Sequence, residues 1–330
     1  MASNPYILLT GPLLMGSLLS YFLNGAFAMQ IYHYYMNYAA TDRRFFVYLV
    51  AVVVVIELLH MAFSSHTTYS FLAAGYGDPT VFVNAPFSGA ALPALNAAGG
   101  FCTQIFFAWR ILILTKSIFG KIAAGLVALL AGMQCAAGFG VTIQFTLLDG
   151  KIEAVKSLNR TIIVWLAGSV SCDILISIAM VFVLIFARSS TAYSSSKNVL
   201  NALIIHTIEN GMITTVCALV DLICFLVFPD NFYYICFEYL LGRLYANVLL
   251  ATLNGRQRMR LAATNEHEFS GRSTGQKSLN NTTNQVQLGA LRSYPTPTHQ
   301  TSKTYPVVSV TTDVQIDSDD DGMPKSRMYP

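Results

Sequence analysis

Glu57 and His60 lie three residues apart in VVVVIELLHMAF, Val52 to Phe63, a run whose other side chains are all apolar. His206 and Glu209 repeat that spacing in reverse order, and Asp173, Asp221 and Arg243 each interrupt a long apolar stretch of their own. Residues three apart share a helix face, so each acid–histidine pair can hydrogen-bond internally. Carboxylate and imidazole are also ligands of the kind that hold zinc or iron, provided the two pairs face each other. Alternatively, carboxyls inside a bilayer serve proton relays or cation sites. Four acids, Glu57, Asp173, Glu209 and Asp221, stand against one well-buried arginine, Arg243. They cannot all be ion-paired, so some carry a proton or line a wet cavity. Glu209 and Asp221 are about 120° out of phase on a helix and meet different neighbours.

The elements that carry these residues are spans. The chain has 330 residues, 54% hydrophobic and 11% charged, less than half the usual share of Asp, Glu, Lys and Arg. A spanning helix takes about 20 mostly apolar residues, because lipid cannot satisfy the backbone and a helix can. Seven stretches qualify: Ile7 to Tyr32, Phe45 to Phe63, Pro93 to Leu114, Ile122 to Leu148, Thr161 to Ala187, Val199 to Phe228 and Tyr233 to Leu253. Pro86 and Pro93 blur the start of the third, and Ser64 to Leu92 reads as a long loop. The expected fold is all-α, a polytopic seven-helix bundle over residues 7–254. Ala26-Phe27-Ala28 imitates a signal-peptidase site, but no basic region precedes it and the helical pattern continues.

Lys and Arg set the orientation. With the N-terminus outside, ten fall on the cytoplasmic side: Arg43 and Arg44; Arg110, Lys116 and Lys121; Arg188 and Lys197; Arg256, Arg258 and Arg260. Only Lys151, Lys156 and Arg160 fall on the other. An odd number of spans then puts the C-terminus in the cytoplasm. Residues 255–330 turn to Ser, Thr, Asn, Gln and Pro, a composition that cannot bury enough surface to fold. Arg256, Arg258 and Arg260 stand where basic residues meet anionic lipid, and the tail beyond them can reach a cytoplasmic partner. Asp317 to Gly322 imitates half of an EF-hand loop but has Met328 where the bidentate Glu belongs. The six cysteines lie in or beside spans and read as small packing residues.

Net charge is only +3 and no basic patch interleaves with aromatics, which gives no support for nucleic acid. No nucleophile elbow, phosphate loop or HExxH occurs, so no cofactor, metal or catalytic set is assigned. The last span lacks a retinal lysine and an Asn-Pro-x-x-Tyr, which argues against opsins and G-protein-coupled receptors. The expectation is a multi-pass protein of the plasma membrane or an endomembrane. Its midplane charges serve a small-molecule, receptor-like site, a proton- or ion-linked transporter, or a metal-dependent lipid enzyme, in that order of preference. Asn24, Gln30, Asn96, Gln104 and Asn247 are expected to join Glu57, His60, Asp173, His206, Glu209, Asp221 and Arg243 in interhelical hydrogen bonds.

GPLLMGSLLSYFLNG at Gly11, IYHYYMNYAATDRR at Ile31, FFAWRI at Phe106, WLAGSVSCDILISIAM at Trp165, HTIENGMITTVCALVDLICFLVFPDNFYY at His206 and LGRLYANVLLATLNGRQ at Leu241 together resemble a family of fungal integral membrane proteins, the domain of unknown function 6534 family. The resemblance is densest over residues 165–256. It implies a seven-helix membrane protein without an established activity, with acidic residues recurring where Glu57, Asp173, Glu209 and Asp221 stand and a basic one at Arg243.

Overall fold

The computed structural model describes residues 6–189 and 194–255, all within one compact unit, Met1–Lys277. Among the described residues the chain forms seven long helices: α1 (Ile7–Asn37), α2 (Arg44–Tyr69), α3 (Phe87–Leu114), α4 (Ile118–Leu147), α5 (Asn159–Ser189), α6 (Ser194–Val227) and α7 (Tyr233–Asn254). Six of them, all but α7, are long and apolar enough to cross a membrane. Their outward faces carry large apolar side chains, among them Phe22, Leu58, Phe119, Leu129 and Phe182, each more than half exposed. Such a surface suits contact with lipid.

Helices α1, α2 and α4 bury narrow stripes. The buried residues of α4 are Ala124, Val127, Ala131, Gln134, Gly138 and Val141, and those of α2 are Phe46, Val50, Val53, Glu57, His60, Ser64 and Thr67. Both alternate steps of three and four, the seam of helices that pack nearly parallel. Glu57 and His60 are therefore on the one stripe of α2 that faces protein. α7 is different, because it packs on α1, α2, α3 and α6 and is covered on most sides. A helix enclosed by other helices need not be apolar, which accounts for Glu238, Arg243 and Asn247 within it.

The seven expected spans fall on these helices, and each helix outruns its expected span at one end or both. The largest correction is at Ser64–Leu92. Rather than a long loop, α2 runs on to Tyr69, continues as a π-helical turn at Ser70–Ala74, and α3 begins at Phe87. The hydroxyls that read as loop instead bond back to their own helix. Ser65 Oγ donates to Met61 O at 2.5 Å, Thr67 Oγ1 to Phe63 O at 2.9 Å and Ser70 Oγ to His66 O at 2.8 Å. Without competing water such polar residues remain helical. Pro93 sits inside α3, and the freed backbone is re-satisfied from a neighbour: Ala94 N donates to Thr142 Oγ1 on α4 at 3.0 Å.

Three connections close one end of the bundle. Asn84 and Lys151 form an antiparallel bridge, with Ala85 N donating to Gly150 O at 2.8 Å and Ile152 N to Val83 O at 3.0 Å. Gly150 reaches this geometry at φ 67°, a conformation glycine enters at little cost. Thr80 donates through its side chain at 2.7 Å and its backbone at 2.9 Å to the exposed Asp78 carboxyl, which holds that carboxyl below its usual range. Lys156 and Asp230 pair at 2.9 Å across the rim.

Close packing of α1 on α7 depends on Gly16, where a Cβ would lie 2.8 Å from the Cys236 Cα. Backbone cannot move aside as a side-chain tip can. Gly16→Ala is expected to cost about 1–3 kcal/mol by overpacking, seen as a lower thermal midpoint in detergent, while Gly25→Ala, which meets nothing within 4 Å, leaves the midpoint unchanged.

Candidate ligand-binding site

The polar residues assemble along α7. Arg243, 1% exposed, pairs through Nη1 with the Glu57 carboxylate, donates at 2.9 Å to the Glu57 carbonyl, and through Nε donates at 3.0 Å to Ser20 Oγ. One guanidinium thus joins α7 to α1 and α2. Its planar fork suits this, since several donors leave in fixed directions. Nη2 has no partner among the described residues. His60 is also buried, its ring edge-on to Tyr239 with centroids 6.2 Å apart. Asn96 stands beside it, yet neither ring nitrogen makes a well-formed hydrogen bond. His60 therefore does not bond Glu57 despite their spacing, because the Glu57 carboxylate is turned to α7. Gly242 makes room here, as a Cβ would come within 2.3 Å of Asn96 Oδ1.

Asp173 belongs to a second, fully satisfied set. Gln134 Nε2 donates to Gln104 Oε1 at 2.7 Å, Gln104 Nε2 to Asp173 Oδ1 at 3.1 Å, and Tyr245 OH to Asp173 Oδ2 at 2.8 Å. Ser169 Oγ lies 2.7 Å from the same Tyr245 oxygen. Four helices, α3, α4, α5 and α7, are tied by this chain. On its far side a cavity of about 30 Å³ is lined by Ser177, Thr207, Asn210 and Thr214, room for roughly two waters.

Asp221 has no such partners. It is 1% exposed, and neither carboxylate oxygen accepts a hydrogen bond from any described residue. It lines a cavity of about 110 Å³ beneath the three connections, together with Glu238, Tyr234 and Tyr239. Glu238 Oε1 receives one long contact, 3.4 Å, from Asn96 Nδ2. The remaining wall is apolar and strongly aromatic, with Phe71, Phe145, Trp165 and Phe232. Ile152, Val155 and Leu158 of the α4–α5 connection close it from above. A concave apolar chamber with a few convergent polar groups is the usual build of a small-molecule site.

The remaining expected residues lie apart from both sets. His206 Nε2 is 3.1 Å from Asn210 Nδ2 one turn on, and its ring reaches 4.0 Å from the position a Cβ on Gly255 would take. Glu209 is exposed on α6, less than one turn deeper than His206 and so close to the level at which α7 ends. The two acid–histidine pairs do not converge, since α2 packs on α1, α3 and α7, whereas α6 packs on α5 and α7. Among the described residues no three His, Cys, Asp or Glu side chains gather as a metal would require. The cysteines among them are free, two donating weakly to backbone: Cys172 Sγ to Val127 O at 3.7 Å and Cys217 Sγ to Phe237 O at 3.8 Å. Arg256, Arg258, Arg260 and the acidic run at Asp317 lie outside the described residues. Among the polar residues expected to join, Gln30 Nε2 donates to Asn247 Oδ1 at 3.1 Å and Asn24 Nδ2 to Met61 Sδ at 2.8 Å.

Sequence reading missed Glu238, Tyr245 and Gln134. Glu238 and Tyr245 stand four residues before and three residues after Gly242, one face of α7. That shared face was the available signal.

These features define a helical, multi-pass, membrane-type protein. Residues 169–258 match the model of a family of unknown function, DUF6534, and the match supports membership of that family. It covers α5 from Ser169, α6 and α7, the part in which the resemblance is densest and which carries Asp173, Asp221, Glu238 and Arg243. No curated protein and no solved structure matches the chain.

The ion pair sets a direct expectation. Removing one member of a buried pair costs roughly 3–5 kcal/mol, because it strands the other charge, whereas replacing both with apolar residues is close to neutral. Glu57→Leu and Arg243→Leu should each lower the thermal midpoint strongly, and the double variant should recover most of the loss.

Proposed function

We propose that this is a seven-span membrane protein, N-terminus outside and tail in the cytoplasm, that binds a small molecule in the chamber lined by Asp221. The observation that carries the reading is the unpartnered Asp221 carboxyl on the wall of a largely apolar cavity. Leaving such a group unsatisfied costs several kcal/mol in a low-dielectric interior. A ligand that supplies donors removes that cost, and a purely structural role would not retain it. In the proposed orientation the chamber lies at the outer end, with its cap of loops toward the medium and the tail free for partners inside. This is a receptor-like or ligand-binding arrangement. α7 crosses with the others because its charged residues face protein.

A second reading, proton- or ion-linked transport, draws on the smaller polar cavity near Asn210, which lies toward the opposite end and is separated from the chamber by Tyr245 and Asp173. Proteoliposomes in which Asp173→Asn abolishes a pH-gradient-driven flux would favour it.

Two experiments test the first reading. Val141 is buried and lines the chamber, so Val141→Phe fills it. Native mass spectrometry of protein purified in mild detergent should show a small molecule retained by wild type and lost from this variant. A filled variant that retains the same molecule would place binding elsewhere. For topology, a membrane-impermeant maleimide should label Lys151→Cys in intact cells and Lys116→Cys only after permeabilisation. The reverse pattern would invert the orientation.

A further inference from the structure

The chemistry of the chamber narrows its ligand, resting on the binding role proposed above. Asp221 and Glu238 both line it and lie within electrostatic reach of each other. Among the described residues neither forms an ion pair with Lys, Arg or His; the ion pairs found are Lys156–Asp230 and Arg243–Glu57. The chamber thus holds two carboxyls with no cation of this chain paired to them, beside the donors of Trp165, Tyr234 and Tyr239, whose hydroxyl has no partner among the described residues. Two carboxyls repel a carboxylate or phosphate ligand. A neutral alcohol offers one donor to a wall with four carboxyl oxygens. An alkylammonium offers three donors and a charge.

The walls point the same way. Trp165, Tyr234, Tyr239 and Phe232 line the same chamber, and an aromatic face attracts a cation by about 0.5–2 kcal/mol when desolvated. Size sets the apolar portion. An apolar cavity of about 150 Å³ holds benzene; this chamber, at about 110 Å³, takes a body of roughly four carbons plus the ammonium nitrogen. We propose that the chamber lined by α3, α4, α5, α6 and α7 is a site for a primary alkylammonium group on a short branched apolar body, held by Asp221 and Glu238 and flanked by Trp165 and Tyr234. The amine is either a whole small molecule or the head of a longer one.

The protein supplies its own reporter. It has two tryptophans, Trp109 and Trp165, and only Trp165 lines the chamber; Trp109 packs against Phe46 with ring centroids 5.2 Å apart, in another part of the core. In full-length Trp109→Phe protein in detergent, the probes are isobutylammonium and its neutral isostere isobutanol. Isobutylammonium is expected to shift Trp165 emission saturably and to raise the thermal midpoint, and isobutanol to do neither at the same concentration. Asp221→Asn should weaken the amine at least tenfold without improving the alcohol, and Glu238→Gln gives a second variant if Asp221→Asn fails to fold. Isobutanol binding as well as the amine, or amine binding unchanged in both variants, overturns the cationic class while leaving the chamber a ligand site. Silence from both probes, with no molecule retained on purification, overturns the chamber as a site at all. A retained endogenous molecule supports the proposal if it is an amine and overturns it if it is neutral or anionic.

Discussion

The Arg243–Glu57 pair is the interaction on which the arrangement of this bundle depends. A guanidinium in a membrane-type interior is costly unless it is paired and its remaining donors are used. Here the acceptors come from two other helices: a carboxylate and a carbonyl from α2, and the Ser20 hydroxyl from α1. That set cannot be met at the periphery, so α7 must be central, with α1 and α2 against it at this level. Sliding α7 by one residue would turn Arg243 about 100° away from Glu57. The pair therefore fixes register as well as proximity. Whether or not it adds net stability, it excludes neighbouring packings, the best-attested use of buried polar groups.

Register fixed at Arg243 carries along the next face of the helix. Glu238, Gly242 and Tyr245 meet Asn96, Gly100 and Thr103 of α3. Asn96 Nδ2 reaches the Glu238 carbonyl at 3.2 Å and Thr103 Oγ1 the Tyr245 carbonyl at 3.3 Å; a Cβ on Gly100 would touch the Tyr245 ring at 3.4 Å. The matched steps of three and four let a side chain on one helix enter the gap left by a glycine on the other. In this way one ion pair places Glu238 at the chamber and Tyr245 on Asp173, about two helical turns apart.

The polar residues of α2 were legible as interior because a charge in an apolar run has nowhere else to go. Their partners were not. Spacing suggested that Glu57 and His60 bond each other, but tertiary geometry turned the carboxylate to α7 and left the imidazole beside Tyr239. The end of α2 and the start of α3 suffered for a related reason: Ser, Thr and Pro signal loops because water competes for the backbone, and here the hydroxyls and Thr142 supply that need internally. Glu238 escaped notice through its place near the start of α7, where an acid also suits a helix end. Helical phase put Glu209 and Asp221 on different faces of α6 but did not say which face is covered: Glu209 is exposed near the end level of α7, while Asp221 is buried. Only the packing of α6 separates them, and hydropathy carries no record of it.

That contrast among four acids bears most on function. Glu57 has an arginine, Asp173 has a glutamine and a tyrosine, and Glu209 is exposed, each an ordinary way to accommodate a carboxyl. Asp221 has none of these, and neither of its oxygens meets a donor among the described residues. Sequences tend to be consistent across levels, and departures from a local rule concentrate where function requires them. An acid kept in an aromatic chamber without a partner from its own chain is such a departure. A structural need would be served as well by the Asn or Leu that this position does not hold, and it is on this unpartnered acid that the proposed ligand site rests.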